Sequence, residues 1–101
     1  MQINLLNSVE LFIESLYAEE ITKVMKVIDL LEEFENNLGM PHSKYLENGL
    51  LELRIRGKRE IRILYCFHKN SAFLLHAFIK KTQKTPEKEL TAARVIMDNL
   101  H

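Results

Sequence analysis

The sequence predicts a single α+β domain over residues 1–101, in which an N-terminal helical hairpin packs on a twisted antiparallel sheet of three to four strands and a C-terminal helix closes the chain. Three observations predict it. The apolar period is three to four in the first third, two in the middle, and three to four again at the end. Short polar turns separate the period-two runs, the pattern of a meander. No internal repeat or low-complexity stretch breaks the chain, and 101 residues suffice for one modest core.

The first helix is expected after Ser8, whose hydroxyl can cap a helix start; Val9, Phe12, Ile13 and Leu16 then mark one helical face. A second helical face follows in Ile21, Val24, Met25, Ile28, Leu31 and Phe34, with Glu32, Glu33 and Glu35 on other faces. Gly39 and Pro41 end it, a helix stop followed by a breaker. The opening "MQINLLN" leaves room for a very short strand or none, so one sheet edge is expected to be open to the chain start or to a partner.

In "GLLELRIRG" the period becomes two: Leu51, Leu53 and Ile55 lie on one side, Glu52, Arg54 and Arg56 on the other. Gly57 to Glu60 is a polar turn. "IRILYCFH" then alternates Ile61, Ile63, Tyr65 and Phe67 against Arg62, Leu64, Cys66 and His68. After "KNS", the run "AFLLHAFIKK" is apolar on both faces and so is expected to be the central or best-covered strand. In "TPEKELTAARVIMDNL", Thr85 is a candidate cap and Pro86 a candidate first helical residue, with Glu87 and Glu89 where the helix dipole favours anions. Leu90, Ala93, Ile96, Met97 and Leu100 supply the apolar face.

Composition narrows the class. Hydrophobic residues are 47 % and charged residues 28 %, ordinary values for a globular domain. The single Cys66 points to a reducing compartment, no apolar run reaches the ~20 residues of a bilayer span, and the start lacks the pattern of a signal peptide. A cytoplasmic protein without membrane contact is the expectation. The net charge of zero hides a split: residues 1–48 hold nine acids against three bases, residues 49–101 five acids against eleven bases. Such asymmetry suits a polyanion or an acidic partner, or two differently charged solvated faces.

Alternation places the bases. If the aliphatic rows share the core, Arg54, Arg56 and Arg62 share the outer face, and Lys80 or Lys81 joins them at the rim of the third strand. Glu52 is the one acid expected among them. Arginine grips phosphate through a planar fork and lysine adds a point charge, so the set is a candidate RNA site. The plainer reading is a solvated strand face, and Lys58 and Arg59, in the turn, fit that reading best. His76 interrupts an apolar strand and is either a satisfied core imidazole or a proton shuttle near the patch. Tyr45 and Tyr65 are candidates to stack on a base, although Tyr65 falls in the aliphatic row. The histidines lack ligand spacing and one cysteine cannot build a zinc site, so no metal is expected. Phosphate loop, dinucleotide fingerprint and nucleophile elbow are all missing, so no nucleotide cofactor is expected either.

Three segments carry a family resemblance: Leu51-Glu52-Leu53-Arg54, Arg62-Ile63-Leu64-Tyr65, and the run from Phe78 through Lys80, Lys81, Thr82, Gln83, Lys84 and Thr85 to Pro86. In order and spacing they resemble the phage-derived, HigB-like branch of the RelE/ParE toxin superfamily, and "VELFIESL" with the helix after it is similar to that family's hairpin. The resemblance implies a RelE-like fold, the toxin of a type II toxin-antitoxin system, and metal-free, ribosome-dependent cleavage of messenger RNA by attack of its own 2′-hydroxyl. It implies an antitoxin partner, generally a helix-turn-helix protein, beside the ribosome and messenger RNA. By motif position Arg54, Arg62, Lys80 and Lys81 are the catalytic candidates, with Arg56, Lys58, Lys84 and His76 as RNA contacts. Two other expectations stay open on the same fold: a ParE-like toxin directed at gyrase, and a non-catalytic module that only holds its antitoxin.

Overall fold

The computed structural model describes residues 1–101. Strand β1 (Gln2–Leu5) leads into helices α1 (Asn7–Glu14) and α2 (Ala18–Phe34). Strands β2 (Ser43–Glu47), β3 (Leu50–Ile55), β4 (Glu60–His68) and β5 (Ser71–Lys80) follow, and helix α3 (Glu87–Asp98) closes the chain. The α+β class is the expected one, but the sheet has five strands in the order β1-β5-β4-β3-β2 and is mixed: β1 runs parallel to β5, and every other pair is antiparallel. Two strands therefore exceed the meander.

The chain start forms β1 and covers the edge of β5 that would otherwise offer unpaired backbone groups. At the other end, β2 and β3 are joined through Asn48 and Gly49, both at positive φ (47° and 85°), as a two-residue hairpin turn of right-handed twist requires. Lys69 and Asn70, with φ of 50° and 60°, turn β4 into β5 in the same way.

Helices cover the sheet on both faces. On one, α1 and α2 meet Leu53, Ile55, Ile61, Ile63 and Tyr65 over a core of 15 buried residues. The Tyr65 hydroxyl and the Ser43 hydroxyl share a 2.5 Å hydrogen bond inside it, tying β2 to β4. On the other, α3 lies over Leu50, Leu64, Cys66, Leu75 and Phe78, a smaller cluster of 7. The face expected to stand partly open is thus covered at the α3 end and bare at the end where β3 stops and β4 starts.

Several caps differ from expectation. Ser8 lies inside α1, and its hydroxyl donates to the Leu75 carbonyl at 3.3 Å, fixing the helix to β5. Pro86 precedes α3 instead of opening it, and Thr85 donates its hydroxyl to Glu52. The Tyr17 N–H, not a hydroxyl residue, marks the start of α2; it donates to Glu20 at 3.0 Å, half of a capping box. Along α2, Val27 is buried while Met25 and Phe34 stand exposed, because the helix meets the sheet along a narrower stripe than its apolar residues cover. A bulge in β5 shifts its pairing with β4 between Leu64 and Tyr65. It leaves Leu75 and His76 on the α3 side of the sheet, so the doubly apolar run serves both cores.

Candidate nucleic-acid interface

Cross-strand register builds the site. Arg54 sits opposite Arg62, Lys44 opposite Glu52, and Glu60 opposite Lys80, all on the α3 side of the sheet at its uncovered end. The side chains border a shallow cleft with two lobes. One, about 450 Å³, is lined by Arg54, Arg56, Arg62, Lys80 and Lys81. The other, about 420 Å³, is lined by Lys44, Glu52, Lys84 and Thr85, and the lobes share Arg54, Lys80 and Gln83.

Glu52 is the centre of the arrangement. It is 1 % exposed, a buried carboxylate that would be costly alone. One oxygen accepts the Thr85 hydroxyl at 2.8 Å. The other lies 3.5 Å from Arg62 Nε and 3.8 Å from Arg54 Nε. Two arginines facing each other across adjacent strands would repel; the carboxylate between them removes that penalty. Thr85 carries the start of α3 and the preceding loop onto the same anchor.

The two arginines are then used differently. Arg62 is 3 % exposed; it donates to the Ile61 carbonyl at 3.2 Å and to Glu60 at 3.1 Å, and its Nε lies beside Glu52. The sequence places it on an outer surface gripping phosphate; the structure holds it inside, with its charge met by the protein's own carboxylates, Glu52 on β3 and Glu60 on β4. Arg62 therefore positions rather than contacts. Arg54 has few partners. Of the five donors of a guanidinium, one ends on the weak acceptor Met40 Sδ at 3.4 Å, while Nε, like that of Arg62, is buried without a hydrogen bond and lies 3.8 Å from Glu52. Its backbone N–H donates to the His42 carbonyl, which fixes the residue at the edge of the sheet.

Lys80 stands at the end of β5, half-buried and without a carboxylate in ion-pair contact. Burial lowers its pKa from the usual 10.5, and the charges of Arg62, Arg54 and Lys44 push in the same direction against the opposing pull of Glu52. A lysine with depressed proton affinity in a cleft is a candidate functional group, although structural ion networks produce such shifts too.

The remaining candidates separate. Lys81 and Lys84 are exposed on the loop and border one lobe each. Arg56 reaches the cleft while keeping a loose 3.8 Å contact with Glu60. Lys58 lies on the β3–β4 turn and lines a different depression, formed with Tyr17 and Lys23, outside the cleft. His76 is also outside. Its Nε2 pairs with Glu89 of α3 at 2.8 Å and its ring stacks on Phe78, so it is a satisfied imidazole that holds α3 to the sheet. Tyr65 is wholly buried, and Tyr45, though exposed, pairs in register with Leu51 and so belongs to the hairpin side of the sheet. Tyr45 still borders the second lobe of the cleft, and its hydroxyl accepts the Gly49 N–H at 3.0 Å.

Lys44, Thr85 and the anchoring role of Glu52 escaped the sequence reading. A signal for the first existed: Asn48-Gly49 between "KYLE" and "LLEL" is a hairpin turn, which makes Ser43–Glu47 a strand and puts Lys44 beside Glu52. The partner of Thr85 lies 33 residues away and left no local trace.

Taken together, the cleft can bind a phosphodiester and move a proton, with cations and without a free acid at its rim. A family model described as Phage derived protein Gp49-like (DUF891) matches residues 12–98. No curated protein matches. No helix is long and apolar enough to cross a membrane.

Proposed function

The chain belongs to the Gp49-like family of phage-derived proteins, and from that premise we propose that it is the toxin of a type II toxin-antitoxin system, of the HigB/RelE kind, which cleaves messenger RNA on the ribosome. One observation carries the reading: the Arg54 guanidinium, held only by a weak contact to Met40 and a 3.8 Å contact to Glu52, borders the same open, cation-lined cleft as an unpaired Lys80 of lowered proton affinity.

In this reading a neutral Lys80 takes the proton of the RNA 2′-hydroxyl. The 2′ oxygen bonds to the adjacent phosphorus, the bond from phosphorus to the 5′ oxygen breaks, and as it leaves that oxygen takes a proton from the Lys81 ammonium, which solvent then reprotonates. The products are a cyclic phosphate end and a 5′-hydroxyl end, and no redox partner or metal is required. Arg54 and Lys81 face the phosphorane, whose extra negative charge such donors stabilise. Arg62 acts through Glu52, holding the anchor that aligns Arg54 and the Thr85 loop. The partner in this proposal is a small helix-turn-helix antitoxin encoded beside the toxin, and the site of action is the cytoplasm, where ribosomes translate.

The test is induced expression with mapping of transcript ends, repeated on purified ribosomes translating a defined messenger. Ribosome-dependent 5′-hydroxyl ends that vanish with Lys80→Ala or Arg54→Ala are expected. Intact transcripts with double-strand DNA breaks would replace this reading with a gyrase poison; normal growth would replace it with a module that only binds its antitoxin.

A further inference from the structure

Strand β2 is shorter than its neighbour: its first residue, Ser43, pairs with Leu53, so beyond the backbone bond from Arg54 to His42 the end of β3 is a bare edge. A groove of about 230 Å³ crosses that edge, bounded by Lys23 and Lys26 of α2, His42, Arg54 and Arg56, with Val27 in its floor. No carboxylate lines it. Lys23 and Lys26 are exposed and take part in none of the ion pairs of the chain. Such a run of unpaired cations on an otherwise acidic N-terminal half is a local reversal of sign: residues 1–48 hold nine acids and three bases, and two of those bases meet here.

Arg54 and Arg56 belong both to this groove and to the cleft on the α3 side. The two sites are therefore continuous around the edge of β3. Successive same-face residues of a strand are roughly 7 Å apart, so the pair forms a short cationic saddle between a phosphate site and a second basic surface.

We propose that the groove between α2 and the bare edge of β3 is a second RNA-backbone site, which takes the strand after it leaves the cleft and holds its phosphates with Lys23 and Lys26. The occupant is single-stranded RNA, because the cations are laid along a path continuous with the cleft rather than clustered at one point, and because a polyanion gains from every lysine along its track. The inference rests on the cleft being the RNA site proposed above. It adds that grip depends on strand length, since only a strand that extends past the cleft reaches α2.

Equilibrium binding tests it with the whole chain and two probes: an oligouridylate on the order of a dozen nucleotides, and a trinucleotide that fills the cleft alone. Lys23→Gln with Lys26→Gln is expected to weaken the long probe and to flatten its dependence of log K on log salt by about 1.4, at about 0.7 per phosphate contact on a single strand. The trinucleotide is expected to bind the variant as it binds the parent. An unchanged salt slope for the long probe overturns the proposal, and so does an equal loss for both probes. Polyglutamate that needs the two lysines where RNA does not overturns it in favour of an acidic polypeptide. Failure of the cleft reading is a distinct result: Arg54→Ala then leaves trinucleotide binding unaltered, whatever the two lysines do to the long probe.

Discussion

The two faces of the sheet solve different problems with the same five strands. On the hairpin side, α1 and α2 cover the sheet and enclose a core of 15 buried residues that is almost wholly apolar. On the α3 side a 12-residue helix covers one end and leaves a smaller cluster of 7, and the other end carries Glu52, Arg54, Arg62 and Lys80. The first face is fixed by packing. The second is fixed by a buried ion network, and buried charge is held in place by electrostatic balance rather than by burial. The face that is poorer as a core is the one that can carry chemistry, because its polar groups are oriented by one another and still reach water.

The sharpest way to break this contrast is Arg62→Ala. It leaves Glu52 buried with its main partner gone, and a loss of about 3–5 kcal/mol is expected in urea unfolding. A loss below about 1 kcal/mol, the range of an exposed pair, would show that the network does not hold this face together.

Lys80→Ala is expected to do the reverse. Its ammonium makes no ion pair and is disfavoured by burial and by neighbouring cations, so the unfolding midpoint should hold or rise slightly. Cleavage, by contrast, should fall by about 10²–10⁴, the usual contribution of a general base. The same lysine sets a pH dependence. A base acts when deprotonated, so cleavage should rise with pH, with a midpoint below the usual 10.5 of lysine. In Glu52→Gln, removal of the carboxylate that favours the ammonium should move that midpoint lower still; a midpoint that moves up would exclude Lys80 as the base.

Truncation of leucines compares the two packed clusters directly. Leu31→Ala, at a fully buried site under the hairpin, should cost about 2–5 kcal/mol. Leu90→Ala on α3 should cost less, since a single helix at the rim of a small cluster can settle into the space. Equal losses would mean that α3 is as firmly fixed as the hairpin.

The smallest effect is expected at the surface of the hairpin side. Arg59 pairs with Glu20 at 2.6 Å and lies over the Tyr17 ring, and this guanidinium holds Glu20 down from the usual 4.5 to about 2. A carboxylate with a lowered folded-state pKa stabilises fully above its unfolded value and loses that contribution as pH falls through the folded one. Acid titration of the unfolding midpoint should therefore steepen between pH 4.5 and about 2, and Arg59→Ala should flatten that interval. Arg59 is exposed and Glu20 half-buried, so the change should be slight and should shrink further in salt.

Much of the fold was legible from the chain. Period-two runs marked β3 and β4 because half-buried strands expose alternate residues, a run apolar on both faces marked β5, and the three-to-four period marked the hairpin and α3. Strand β1 was hard to read since four residues hold too little pattern, and its parallel partner lies at the far end of the chain. Strand β2 carries the Asn48-Gly49 turn signal, but its own five residues alternate less clearly than those of β3 after it. In the site, alternation correctly set Arg54, Glu52 and Arg62 on one face. It gave no hint that Arg62 would be enclosed, or that His76 would turn toward Glu89, because the first depends on carboxylates of two strands and the second on where α3 lands.

What the sequence by itself determined is which residues share a face. That follows from backbone geometry, in which each side chain points by its position in a local repeat. What only the tertiary structure decided is which of those residues meet water and which meet each other. Glu52 anchors Arg62 and Thr85, Arg54 is left with only weak partners, and Lys80 loses proton affinity. Each depends on elements distant in the chain being brought within a few ångströms, and electrostatic balance at that range is a property of the assembled surroundings rather than of any segment.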